Sequence, residues 1–207
     1  HAILMFGDKN KEIIYPNPGF PIYESAIKYT GAKPIPMKLT IKNDFNIDIE
    51  KLKASINKNT SLIIFNSPSN PTGGIVNQND LNEIVNILEK NPHIYILSDE
   101  IYSRMIYDNI NYKSLLSYPQ LKDRIILLDG WSKTYAMTGW RVGYSVWPSK
   151  LVKISERLNI NSFSCTNTPA QYGALAATEG PQDCVAKMVS IFDNRRKMIF
   201  NELNNIK

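Results

Sequence analysis

The sequence is short of several things, and each shortage removes a class of protein. It has two cysteines in 207 residues, Cys165 and Cys184. That is too few for a disulfide-stapled secreted scaffold, so both are expected to stay reduced in the cytoplasm. Histidine is as rare, and His93, at the start of an apolar run, has no acid or cysteine at metal-ligand spacing. It reads as structural, and no metal site is expected. No apolar stretch approaches the roughly 18 residues that span a membrane, and no secretory leader is expected. Arginine is scarce, 6 residues against 18 lysines, and no run of five like charges occurs. The formal net charge of +5 is therefore spread over a solvated lysine-rich surface, whereas nucleic-acid binders cluster their cations on one face. Neither nucleic acid nor a membrane is expected as a partner. Internal repeats and low-complexity tracts are absent as well.

What remains is the composition of a soluble globular chain, 43% hydrophobic, long enough to bury a sizeable core. Strands and helices alternate along it. Glu12–Tyr15 reads as a short strand stopped by Pro16, Phe20–Tyr29 as a helix ending at Gly31, and Lys33–Leu39 as an edge or irregular strand because it contains Pro34 and Pro36. Ile47–Ile56 is an amphipathic helix. Asn79–Lys90 is a second, with Leu81, Ile84, Val85 and Leu88 on one face. Four further runs, Ser61–Phe65, Ile94–Leu97, Arg124–Leu128 and Val142–Trp147, read as buried strands. This alternation predicts an α/β fold with a mainly parallel central sheet flanked by helices. Strands give way to helices near Pro148–Asn161, and Asn161–Pro169 reads as a polar loop with Asn167 or Thr168 capping the helix that follows. The chain opens on what reads as the last turns of a helix, and its final helical pattern runs to Lys207, so a fragment of a longer protein is expected.

In an open α/β sheet, ligands bind beyond the carboxyl ends of the strands. After Ser61–Phe65 comes Asn66-Ser67-Pro68-Ser69-Asn70-Pro71-Thr72-Gly73-Gly74; after Ile94–Leu97 comes Ser98-Asp99-Glu100-Ile101-Tyr102; after Arg124–Leu128 comes Asp129-Gly130-Trp131-Ser132-Lys133, continuing to Met137-Thr138-Gly139-Trp140-Arg141. Successive strand ends thus deliver an amide, an acid with a phenol, and an amine with a guanidinium. Singly, each has an ordinary explanation as a turn former, a packed aromatic or a surface cation. Together they describe a site for one small, anionic, aromatic ligand.

These motifs resemble the class I/II aminotransferases of the aspartate aminotransferase type, whose fold is the fold type I pyridoxal-phosphate transferase fold. The resemblance runs from about Tyr15 to the last helix. It implies a large cofactor-binding domain over residues 1–160, and over 161–207 the end of that domain and the start of a long helix leading to a small domain. It also implies pyridoxal 5′-phosphate as cofactor. Lys133 matches the lysine that holds the cofactor aldehyde as a Schiff base, and Asp99 the acid facing the pyridine nitrogen. Tyr102 and Asn70 match the pair on the ring's 3-oxygen, and Arg141 the arginine on the phosphate. Phe20 stands where the family has an aromatic over the ring, often Trp or Tyr. Ser132 is a further phosphate contact, and Gly130 occupies the position where the family more usually has a serine.

The activity implied is transfer of an amino group between an amino acid and a 2-oxo acid, aspartate aminotransferase-like, by a cytoplasmic homodimer. The same constellation also suits a carbon–sulfur β-lyase. A transcription regulator's aminotransferase-like sensor domain, or a binding module with an idle Lys133, are readings of another class. By the same resemblance the family's phosphate-cradling glycine turn and its carboxylate-gripping arginine lie outside residues 1–207, so the isolated segment is expected to be poorly active.

Overall fold

The computed structural model describes residues 1–206. Its strands are β1 (Glu12–Asn17), β2 (Lys33–Lys38), β3 (Thr60–Asn66), β4 (Tyr95–Asp99), β5 (Ile125–Gly130) and β6 (Gly143–Val146). They form one sheet in the order β2-β1-β3-β4-β5-β6. All neighbours are parallel except β5 and β6. The helices are α1 (Ala2–Phe6), α2 (Ile22–Tyr29), α3 (Ile49–Ser55), α4 (Gln78–Lys90), α5 (Trp131–Thr134), α6 (Ser149–Phe163), α7 (Thr168–Glu179) and α8 (Asp183–Asn204). This is the mainly parallel, helix-flanked α/β architecture read from the sequence.

The two-residue period of a strand sorts the core into two layers. Ile14, Ile63, Phe65, Ile96 and Ile125 face α3 and α4, where they meet Leu52, Leu81, Ile84, Val85 and Leu88. Their neighbours Ile13, Tyr15, Leu62, Ile64, Leu97 and Ile126 face α1 and α2, against Ile3, Tyr23 and Ile27. β3 is buried along its whole length, which is why it reads as an unbroken apolar run. β2 tolerates two prolines because of its register. Lys33 N donates to Lys11 O at 2.9 Å, so the alternate residues Pro34 and Pro36 turn their missing N–H toward the open edge.

Three readings need correction. β6 is not a buried strand: all four of its residues are exposed, because it is the antiparallel edge and pairs with β5 alone. Phe20 lies outside its helix, which starts at Ile22, after Pro21. Asn161 and Ser162 are helical rather than loop. Asn161 Nδ2 donates to Arg157 O at 2.8 Å and Ser162 Oγ to Leu158 O at 2.6 Å, satisfying both side chains one turn back along α6. Asn167, as expected, caps α7 by accepting from Ala170 N.

Candidate active site

Parallel strands share one carboxyl edge. β6 runs the other way, so it begins where β5 ends: Gly130 pairs with Gly143. Residues after β3, β4 and β5, and those just before β6, therefore reach the same rim. The close pairing depends on glycine. A Cβ on Gly130 would lie 2.8 Å from Gly143 Cα, so a larger residue would push the strands apart beneath the site. At this edge a cavity of about 390 Å³ is lined by every residue singled out from sequence: Phe20, Asn70, Asp99, Tyr102, Ser132, Lys133 and Arg141.

Asp99 is the floor. It is 7% exposed, and its charge meets no cation within ion-pair distance among the described residues. The Tyr23 hydroxyl donates to its Oδ2, and Ile101 N approaches Oδ1 at 3.3 Å. Burial pushes the Asp99 carboxyl above its ordinary range; the bonds from Tyr23 and Ile101 pull it back, while Asp129 and Glu100 nearby raise it further. Burial and the Asp99 charge in turn drive the Tyr23 phenol far up, so it remains a hydrogen donor at any working pH. Asp129 also lines the cavity, and burial raises its carboxyl too. It accepts from Gly130 N at 2.6 Å, Tyr144 Oη at 3.3 Å and Ser103 Oγ at 3.4 Å.

The cations are at the rim. Lys133 sits in α5, half-buried, its Nζ 5.7 Å from the centroid of the Tyr102 ring and in no ion pair among the described residues. Arg141 is exposed and ends a 3₁₀ turn, Thr138–Trp140, in the left-handed region at φ 54°. This conformation costs a non-glycine residue about 1 kcal/mol. It is held by Arg141 Nη1 donating to Thr138 O at 2.9 Å and by Trp140 packing on Gly173 of α7, where a Cβ would approach the indole to 2.5 Å. Ser132 O accepts from Thr138 Oγ1 at 3.0 Å, tying α5 to the same turn. Phe20 is 46% exposed and meets Tyr23 edge-on, with ring centroids 5.8 Å apart.

Sequence reasoning passed over Tyr23, Asn66 and Asp129. Asn66 Nδ2 donates to Asp99 O at 3.1 Å and its Oδ1 accepts from Asn70 N at 2.9 Å, locking the Asn70 turn onto β4. The available signals were Tyr23's position one helical turn after Phe20, and strand-terminal positions for the other two. His93 is exposed, with Nε2 3.3 Å from Asn57 O, and the described residues hold no group of three or more His, Cys, Asp or Glu placed for a metal.

A model of the family described as aminotransferase class I and II matches residues 1–207. The chain belongs to the class I and II aminotransferases. It is 43% identical over 211 residues to a probable aspartate aminotransferase of Methanocaldococcus jannaschii, covering 99% of this chain and 54% of that protein. Its fold superimposes on the aspartate aminotransferase of Rhizobium meliloti with a TM-score of 0.95 at 32% identity, covering 99% of this chain and 52% of that one. It superimposes on an aromatic aminotransferase from Pyrococcus horikoshii with a TM-score of 0.91 at 32% identity, over 98% and 54%. The chain thus spans about half the length of the proteins it matches. Membership of the family implies pyridoxal phosphate, and the residues present fit that group. A buried carboxylate without a cation, a half-buried amine in no ion pair among the described residues, and an exposed guanidinium with one internal bond line the same cavity. That donor set is complementary to a ring with a cationic nitrogen, an aldehyde and a phosphate.

Proposed function

We propose that the full-length protein is a pyridoxal 5′-phosphate-dependent aminotransferase that moves an amino group between an amino acid and a 2-oxo acid, with aspartate as its amino-acid substrate. The observation that carries this is the set of charges on one cavity: Asp99 buried, Lys133 half-buried and in no ion pair among the described residues, Arg141 exposed. Asp99 would hold a proton on the ring nitrogen, which would keep the ring electron-poor. Tyr102 and Asn70 would serve the ring's 3-oxygen, Phe20 would pack on the ring, and Arg141 with Ser132 would hold the phosphate, for which a planar guanidinium fork is better suited than a lysine. When bound, the cofactor draws electrons from the substrate α-carbon into its ring. Lys133 Nζ is the group that would hold the cofactor aldehyde and would serve as the base for the proton at the substrate α-carbon. Such positioned acid–base transfer is worth roughly 10²–10⁴-fold.

The aspartate assignment is supported by the names of the Methanocaldococcus and Rhizobium relatives. The same reading expects a cytoplasmic homodimer. The full-length protein given aspartate and 2-oxoglutarate should form glutamate. In Lys133→Ala that rate should drop by at least about 10³-fold, and borohydride should no longer fix the cofactor to the peptide containing position 133. Pyruvate and ammonia from cystathionine, without glutamate from the first mixture, would identify a carbon–sulfur lyase instead.

A further inference from the structure

Glu100 follows Asp99 directly and is only 4% exposed, yet no cation pairs with it among the described residues. Its Oε1 accepts from Ser98 Oγ and from Ser114 Oγ, each at 2.8 Å, and burial together with the Glu100 charge drives the nearby Tyr112 phenol far up. Ser98 belongs to β4. Tyr112 and Ser114 belong to the far end of the loop that leaves β4 at Glu100, where Ser114 also caps the 3₁₀ turn Leu115–Ser117 by accepting from Leu116 N. The Glu100 backbone holds the near end: its N–H donates to Leu128 O and its carbonyl accepts from Ser103 N, both at 2.8 Å, closing a turn with Tyr102 inside it. One residue thus gathers both ends of segment 101–114. The choice of an acid follows from the hydrogen-bond inventory. Converging hydroxyl donors need an acceptor with several lone pairs and no competing donor, and a buried network whose members are all satisfied is rigid.

We propose that Glu100 is a positioning residue for Tyr102: its buried carboxylate, accepting from Ser98 and Ser114, fixes the loop that presents the Tyr102 phenol beside Lys133. This rests on the roles given to Tyr102 and Lys133 above. A phenol donating to the ring 3-oxygen favours the form of the bound chromophore that has lost its proton, because the negative charge then rests on that oxygen. Displacing the phenol therefore raises the pH midpoint of the chromophore.

The test is a spectrophotometric pH titration of the full-length protein loaded with pyridoxal 5′-phosphate. Glu100→Gln, which replaces an acceptor oxygen with a donor, should raise the midpoint by about half a unit or more, roughly threefold in the equilibrium constant. Ser114→Ala, which releases only the far end of the loop, should raise it by less. In a Tyr102→Phe background Glu100→Gln should move it no further, the non-additivity expected when one residue acts through another. A Glu100→Gln protein with a lower Tm and an unmoved midpoint overturns the proposal, as does an equal shift with and without the Tyr102 hydroxyl. Should Glu100→Gln fail to fold, Ser114→Ala decides by the same comparison. Absence of any pH-dependent visible band in the unsubstituted protein is a different failure: it removes the Lys133 reading itself, and this proposal with it.

Discussion

On the acidic side of the cavity, Asp99 and Asp129 place two carboxyl groups among tyrosine and serine hydroxyls, with Glu100 buried next to Asp99 in the chain. At the rim, Lys133 and Arg141 are half-buried or exposed and nearly without partners. The contrast follows from the elements that carry them. The acids sit on or beside strand ends, where the core on both faces excludes water. The cations sit on a short helix and a 3₁₀ turn that stand clear of it. Charge at the floor acts in a low dielectric and is felt strongly, whereas charge at the rim is screened by salt over about 10 Å. On the proposed function, the floor would set the electronic state of the bound group and the rim how firmly it is held.

The largest effect that would break this division is at Asp99. Burial raises its carboxyl in the folded chain, so its contribution to stability is present below the ordinary carboxylate range and is lost as pH rises through the raised value. Asp99→Asn removes that loss. The cofactor-free full-length protein should gain on the order of 1 kcal/mol at pH 8 and little at pH 4, while the transamination rate with cofactor added falls by about 10²–10³-fold. Urea unfolding at the two pH values, set beside the rate, measures both. A variant that is less stable at pH 8 would mean that the floor is not strained by its own charge.

Arg141→Lys probes the rim. It keeps the charge and discards the planar fork, so the affinity for pyridoxal 5′-phosphate should weaken by about tenfold to a hundredfold. Stability should stay within about 0.5 kcal/mol, since the residue is exposed. An absorbance titration reads the affinity; unchanged binding would remove Arg141 from the phosphate.

The floor and the rim also differ in how far the sequence discloses them. Asp99, Lys133 and Arg141 stand at or just beyond strand ends, in motifs whose local order carries their meaning. β3 and α4 were equally plain, one as an apolar run and the other through its helical period. Burial of β6 was misread because apolar content does not say whether a strand has neighbours on both edges. Tyr23 was missed because its partner is 76 residues away and the residue acts only through that partner; no local pattern records such a bond. Asn66 and Asp129 are hidden for the same reason, each serving a side chain or turn supplied by another element.

Tyr23→Phe is the smallest change and the sharpest test of whether the floor is an electrostatic device. The Tyr23 hydroxyl is one of the groups that pull the Asp99 carboxyl back from where burial would take it. A donor to a charged acceptor is worth about 1.5–3 kcal/mol, roughly twice a bond between neutral groups. Removing it penalises the ionised form specifically. The cofactor-free Tyr23→Phe protein should therefore lose more stability at pH 8 than at pH 4, the loss growing as pH rises through the raised range of the Asp99 carboxyl and it gives up its proton. The two substitutions then move in opposite directions at pH 8: Asp99→Asn stabilises by deleting the charge, and Tyr23→Phe destabilises by deleting its donor. Combined in one chain, Tyr23→Phe should cost at pH 8 only what it costs at pH 4, because no charge is left for the hydroxyl to serve. Equal losses at both pH values in the single variant would reduce the contact to simple packing.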